Sequence, residues 1–317
     1  MSNSKPKEII ERWVKSILEK GVPTLRKEFN ENKRYFPKDI TLNAFKEAHP
    51  LKKNRYKDVP MQDKNRVVLN FPGGNGDYIH ANYVNTPNGE KRFICTQGPL
   101  ENTVVDFYRM IMQEEIECVI MLCNLVEKGQ TKCFLYWPEK KDEVKKFEEF
   151  EVTCIDKGEL EKAYPNIIKT TLKIKSNYEG KKFEQTLKHI YWTDWPDRGV
   201  PSNTDSATTL LNYVRGTTKP ILVHCSAGIG RTGSIVAIEY ILEKFVNGEN
   251  PEPPIEIVKI IRDQRPYSVQ TELQFLFVQK VILDLIVGNN KKRMDPKMLA
   301  LLEKFDKDYE EACNQAL

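Results

Sequence analysis

One short stretch constrains this chain more than any other. Ile221-Leu222-Val223 has strand character, and Ile235, Ile238, Ile241, Leu242 and Phe245 recur at helical spacing soon after. Between them lies His224-Cys225-Ser226-Ala227-Gly228-Ile229-Gly230-Arg231-Thr232-Gly233. The segment therefore reads as strand, tight loop, helix. Successive backbone N–H groups and the positive end of a helix meet in such a loop, and together they suit a tetrahedral oxyanion such as phosphate. Arg231 adds a planar, permanently charged fork able to grip two phosphate oxygens. Cys225 then lies on the floor of a positive cup, where its thiol loses a proton readily and becomes a nucleophile.

Blander explanations account for less. Gly228-x-Gly230-x-x-Gly233 also spells a dinucleotide-binding fingerprint, but that fold needs a second strand ending in an acidic residue roughly 20 residues on. The stretch there, Val246 to Pro254, carries prolines that forbid a central strand. No Gly-Lys-Ser/Thr follows the glycines, so a Walker-type phosphate loop is excluded. A buried structural cysteine leaves Arg231 and the glycines unexplained.

The segment resembles, letter for letter, the signature of the cysteine-dependent protein tyrosine phosphatases. The resemblance extends over residues 30–288 and implies an α/β (α+β) fold: a highly twisted mixed β-sheet flanked by helices. It implies hydrolysis of phosphotyrosine through a cysteinyl-phosphate. Cys225 is then the nucleophile, and Arg231 with the amides of Ser226, Ala227, Gly228, Ile229 and Gly230 holds the phosphoryl oxygens. Trp195-Pro196-Asp197 is similar to the family's mobile loop, with Asp197 as general acid and then base. Arg198 follows where the family more often has a ring. Val269-Gln270-Thr271-Glu272-Leu273-Gln274 resembles the glutamine loop, which assigns water positioning to Gln270 and support to Gln274. Thr232 is expected to donate to the departing Cys225 sulfur, and His224 to shape the loop and help lower the thiol pKa.

Asn54-Arg55-Tyr56-Lys57-Asp58-Val59 looks like the phosphotyrosine-recognition loop. Tyr56 would line a slot too deep for phosphoserine, Asp58 would hold the peptide main chain, and Lys57 would favour acidic neighbours. By the same resemblance, Glu127 pairs with Arg231, and Lys132 approaches Asp197 or the phosphate. Departures are His80, for a common Asn, and Tyr108 and Met112, for usual tryptophans. Tyr267 is expected to narrow the pocket entrance. Two alternatives stay open here: a dual-specificity phosphatase, which lacks the Tyr56 loop, and a phosphotyrosine-binding module without turnover.

The remaining sequence sets bounds. The 317 residues carry 49 basic and 45 acidic side chains, a balance too mild to argue for nucleic acid or membrane binding. No run reaches the length of a membrane span, and the N-terminus shows no signal-peptide core. The seven cysteines lack metal-ligand spacing, as do the four histidines, so no metal or other cofactor is expected. Reduced thiols suit a cytoplasmic, soluble monomer acting on phosphotyrosine proteins. Residues 1–29 are expected as an N-terminal helical segment, 30–288 as the catalytic domain and 289–317 as a charged C-terminal helical tail. Residues 51–89 read as turn-rich. Strands are expected near 91–98, 118–125, 133–137, 147–156, 167–176 and 182–193. Helices are expected near 6–20, 103–115, 205–215, 232–246, 254–263, 270–287 and 295–313.

Overall fold

The structure, a computed structural model, describes residues 4–288, 291 and 294–315. Its main sheet begins with β1 (Arg66–Val68), β2 (Tyr78–Thr86), β3 (Gly89–Thr96) and β4 (Cys118–Met121). A separate hairpin joins β5 (Val126–Glu127) to β6 (Gln130–Thr131). The main sheet is completed by β7 (Val144–Phe147), β8 (Phe150–Glu159), β9 (Ile167–Tyr178), β10 (Lys181–Trp192) and β11 (Ile221–His224). The order across the sheet is β1-β2-β3-β11-β4-β10-β9-β8-β7. Its centre is parallel, with β11 between β3 and β4 and β4 beside β10, and its two flanks are antiparallel meanders. The expected mixed sheet flanked by helices is the observed one.

β11 is buried along its whole length. That is why its letters read as a continuous apolar run rather than an alternation. The helices are α1 (Ser4–Glu31), α2 (Asn43–Glu47), α3 (Val104–Gln113), α4 (Asp205–Val214), α5 (Gly230–Val246), α6 (Pro254–Arg262), α7 (Glu272–Val287) and α8 (Pro296–Asn314). α5 follows the cysteine loop and packs against α4, α6, α7 and α1. It is buried nearly all round, and its apolar residues accordingly cover more than one face. α1 is broken at Gly21, where φ is 65°, and Pro23 restarts it. A left-handed glycine followed by proline is a pattern that ends one helix and admits the next.

Two expectations change. Residues 133–137 form no strand: the backbone there turns to bond Leu125 and Pro99, while Tyr136 and Trp137 anchor it in the core. Apolar letters report burial there, not pairing. Conversely, β1 and β2 run through the turn-rich 51–89, because Tyr78 to Val84 find ladder partners on β1 and β3. Both terminal segments join the main core through Trp13, Leu25 and Phe29 of α1 and Leu302, Phe305 and Tyr309 of α8. Residues 1–3, 289–290, 292–293 and 316–317 of those segments lie outside the described residues. Among the described residues, no helix is long and apolar enough to cross a membrane.

Candidate active site

The cysteine loop sits between β11 and α5, and its curvature depends on Gly228. That residue has φ 69°, and a Cβ there would lie 2.0 Å from the Thr96 carbonyl oxygen. Only glycine fits so close a backbone approach. The turn brings the Gly228 N–H within 3.2 Å of the Cys225 sulfur, to which it donates. Burial is the largest influence on the Cys225 thiol and works against ionisation. The Arg231 guanidinium, the Thr232 hydroxyl and the N–H groups of Thr232 and Ile229 outweigh it and hold the thiol below its ordinary value. The Thr232 hydroxyl is buried and closes no well-formed hydrogen bond with a protein group, so its proton remains available to a thiolate.

Arg231 is 2% exposed, and a buried guanidinium needs partners on every side. Its fork donates to both oxygens of Glu127, at 2.6 and 3.0 Å, and to the Trp195 carbonyl at 2.9 Å. The β5–β6 hairpin delivers Glu127, and the same hairpin leads to Lys132. Lys132 reaches Asp197 at 3.0 Å, and the other oxygen of Asp197 lies 3.5 Å from Arg231. The loop carrying Asp197 therefore lies over the pocket, with its carboxylate between Lys132 and Arg231. Trp195 holds the loop from below, donating from its ring to the Gly199 carbonyl at 3.0 Å.

The pocket encloses about 240 Å³. Cys225, Ser226, Ala227, Gly230 and Arg231 form its floor, Asp197 and Lys132 one wall, and Tyr56, Asp58, Gln270 and Gln274 the rest. Val59, Gln130 and Arg198 also line it. Tyr56 is tied to the loop: its hydroxyl donates to Ser226 at 2.7 Å, because the Ser226 hydroxyl is itself committed to the Lys132 carbonyl. The Gln274 amide oxygen accepts the N–H groups of Gln270 and Thr271, while the Thr271 hydroxyl caps α7. A Cβ on Gly230 would meet both glutamine side chains at about 3 Å.

Other expected residues lie outside the pocket wall. Lys57 is exposed. Gly228, Ile229, Thr232, His224 and Glu127 stand behind the surface they support. His224 is fully buried, and burial pushes its pKa down to about 4, so it is a neutral ring. Its Nδ1 donates to the Cys225 carbonyl at 3.1 Å and its Nε2 accepts from Tyr136 at 2.8 Å. His224 thus shapes the loop through a carbonyl rather than acting on the thiol as a cation.

Sequence reasoning missed Arg265, which is fully buried. It donates to the carbonyls of Gly228 and Ala227 at 3.1 Å each, and also to Asn82 and to His80 Nδ1. His80, the departure noted above, passes the link on by donating to the Val59 carbonyl at 2.9 Å. Arg55 was also missed as a brace; it clasps the Gly98 and Pro99 carbonyls. Nothing local marks these arginines, since their partners are backbone carbonyls from distant segments. Tyr108, where the resemblance has a tryptophan, is fully buried, and its hydroxyl donates to the Tyr136 carbonyl. Tyr267 packs its ring on Phe36, centroids 5.4 Å apart.

Comparison with known proteins gives the same picture. The protein-tyrosine phosphatase family model matches residues 50–284. Mouse receptor-type tyrosine-protein phosphatase eta is 37% identical over 250 residues, covering 77% of this chain and 20% of that protein. Human tyrosine-protein phosphatase non-receptor type 12 is 36% identical over 243 residues, covering 74% and 30%. The chain thus spans less than a third of the length of these curated relatives. Among solved structures, the catalytic domain of human protein tyrosine phosphatase non-receptor type 18 superposes with a TM-score of 0.73 at 29% identity, covering 83% of this chain and 96% of that one. The same protein in complex with HER2 phosphopeptide gives 0.78 at 28% identity, covering 88% and 99%.

Proposed function

Because the chain belongs to the protein-tyrosine phosphatase family, we propose that it hydrolyses phosphotyrosine in proteins through a cysteinyl-phosphate. The observation that carries the reading is the convergence of a lowered thiol, a buried guanidinium and a carboxylate on one small pocket. The Cys225 thiolate attacks phosphorus, forming the S–P bond as the P–O bond to tyrosine breaks. Arg231 and the loop amides hold the three other oxygens throughout. Asp197 gives its proton to the departing phenolate. Water, oriented by Gln270, then attacks phosphorus and passes a proton back to Asp197. The S–P bond breaks, and Thr232 donates to the thiolate that leaves.

Tyr56 sets the depth of the slot, so phosphotyrosine reaches Cys225 and phosphoserine falls short. Asp58 engages the peptide backbone, and exposed Lys57 favours acidic neighbours. We assign the active form to a monomer inside the cell, where the seven free thiols stay reduced. The test is phosphate release from matched phosphotyrosine and phosphoserine peptides, with Cys225→Ser alongside. Release from phosphotyrosine alone, abolished by the serine change, is expected. Release from both peptides would overturn the role of Tyr56. Binding without release would make the chain a recognition module.

A further inference from the structure

The C-terminal half of α1 grips the beginning of α7. Arg26 donates to one oxygen of Glu272 at 2.6 Å and Asn30 to the other at 2.8 Å. Arg26 and Asn30 are four residues apart and so share a helix face. Beneath them Phe29 packs on Phe275 of α7, ring centroids 5.4 Å apart. Arg262 reinforces the joint, donating to the Asn32 carbonyl and to the carbonyls of Ser268 and Val269. The segment so tethered is under strain: Val269 is β-branched, fully buried and held at φ 58°.

Glu272 is flanked by Thr271, whose hydroxyl donates to the Arg198 carbonyl at 3.1 Å. This bond joins the glutamine loop to the acid loop. Arg198, at φ 60°, is the residue after Asp197. A rigid path of contacts therefore runs from α1 through Glu272 and Thr271 to the peptide that carries Asp197.

We propose that Arg26 and Glu272 are positioning residues for the general acid: their ion pair fixes the first turn of α7, which lets Thr271 clasp Arg198 and keep Asp197 over the pocket. The proposal rests on the phosphatase reading and adds a regulatory consequence. Anything that lifts the C-terminal half of α1 loosens the acid loop without touching the pocket.

The test uses leaving groups. Phenolate must be protonated to depart, whereas dinitrophenolate departs unaided, so only the first substrate reports on Asp197 during P–O cleavage. Arg26→Met and Glu272→Gln should each lower kcat/KM for phenyl phosphate about fivefold and for 2,4-dinitrophenyl phosphate less than about twofold. Thr271→Val removes the clasp directly and should show the same selectivity. The charge-reversed pair Arg26→Glu with Glu272→Arg should recover at least about half the phenyl phosphate activity. Melting temperatures are measured alongside. Equal losses on both substrates, no loss, or a reversed pair that recovers its melting temperature but not its substrate ratio overturns the proposal. A wild-type chain inert on both substrates overturns the phosphatase reading instead.

Discussion

At the scale of residues, the site is a contest between burial and nearby donors. Cys225 is 4% exposed, which opposes ionisation, yet Arg231, Thr232 and the loop amides reverse the balance. Alkylation of Cys225 by iodoacetamide should therefore show a pH midpoint below the ordinary thiol value of about 8.5. Thr232→Val should move that midpoint upward and slow departure of the sulfur, which a burst of tyrosine release before steady state would reveal. Arg231 raises a different question, since it is buried with Glu127. Removing one member of a buried pair leaves the other unpaired at a cost of about 3–5 kcal/mol. Glu127→Ala should lower stability by that order in urea unfolding and reduce turnover as the Arg231 fork loses its aim. Glu127 was legible through the family resemblance; Arg265 was not, because its four partners come from two stretches of chain, 80–82 and 227–228, both far from it in sequence.

Among the elements, the cysteine loop depends on what surrounds it more than on its own propensities. β11 and α5 could be drawn from periodicity alone. The turn between them holds because Gly228 lies against the Thr96 carbonyl and Arg265 takes the carbonyls of Ala227 and Gly228. Gly228→Ala requires the end of β3 at Thr96 to move, so it should abolish vanadate binding as well as turnover, measured by calorimetry and phosphate release. The β5–β6 hairpin escaped the sequence pattern because it is only two residues on each side, too short for alternation to register. Residues 133–137 failed in the opposite sense: apolar letters serve burial of side chains from an unpaired segment. β1 and β2 were missed for another reason: β2 pairs with its sequence neighbours β1 and β3, but turn residues dominate the local composition of 51–89.

Across the whole molecule, the terminal helices are part of the packing. Phe305 on α8 is 1% exposed within the main core. Phe305→Ala should cost about 3–5 kcal/mol, seen as a lower melting temperature, with kcat for the remaining folded protein unchanged. Three buried histidines set the acid limit. Burial holds His80 and His189 at about 3 and His224 at about 4, below the unfolded value of about 6.5. The unfolded chain therefore takes up these protons first as pH falls. Stability from these groups should be complete above about 6.5 and decline from there through about 3, measured by urea midpoints across that range.

The amino-acid sequence by itself marked the proposed nucleophile, anion-binding fork, acid and glutamines. Chemistry at one phosphorus atom demands specific residue types at fixed short spacings, and short spacings survive in a linear string. The tertiary structure alone decided which groups brace that chemistry: Arg265 and Arg55 on backbone carbonyls, His224 as a neutral ring, and α1 seated on the first turn of α7. Apart from the His224–Cys225 bond, those contacts join residues tens to hundreds of positions apart. Their energy comes from satisfying buried polar groups, a condition that exists only once the chain has folded.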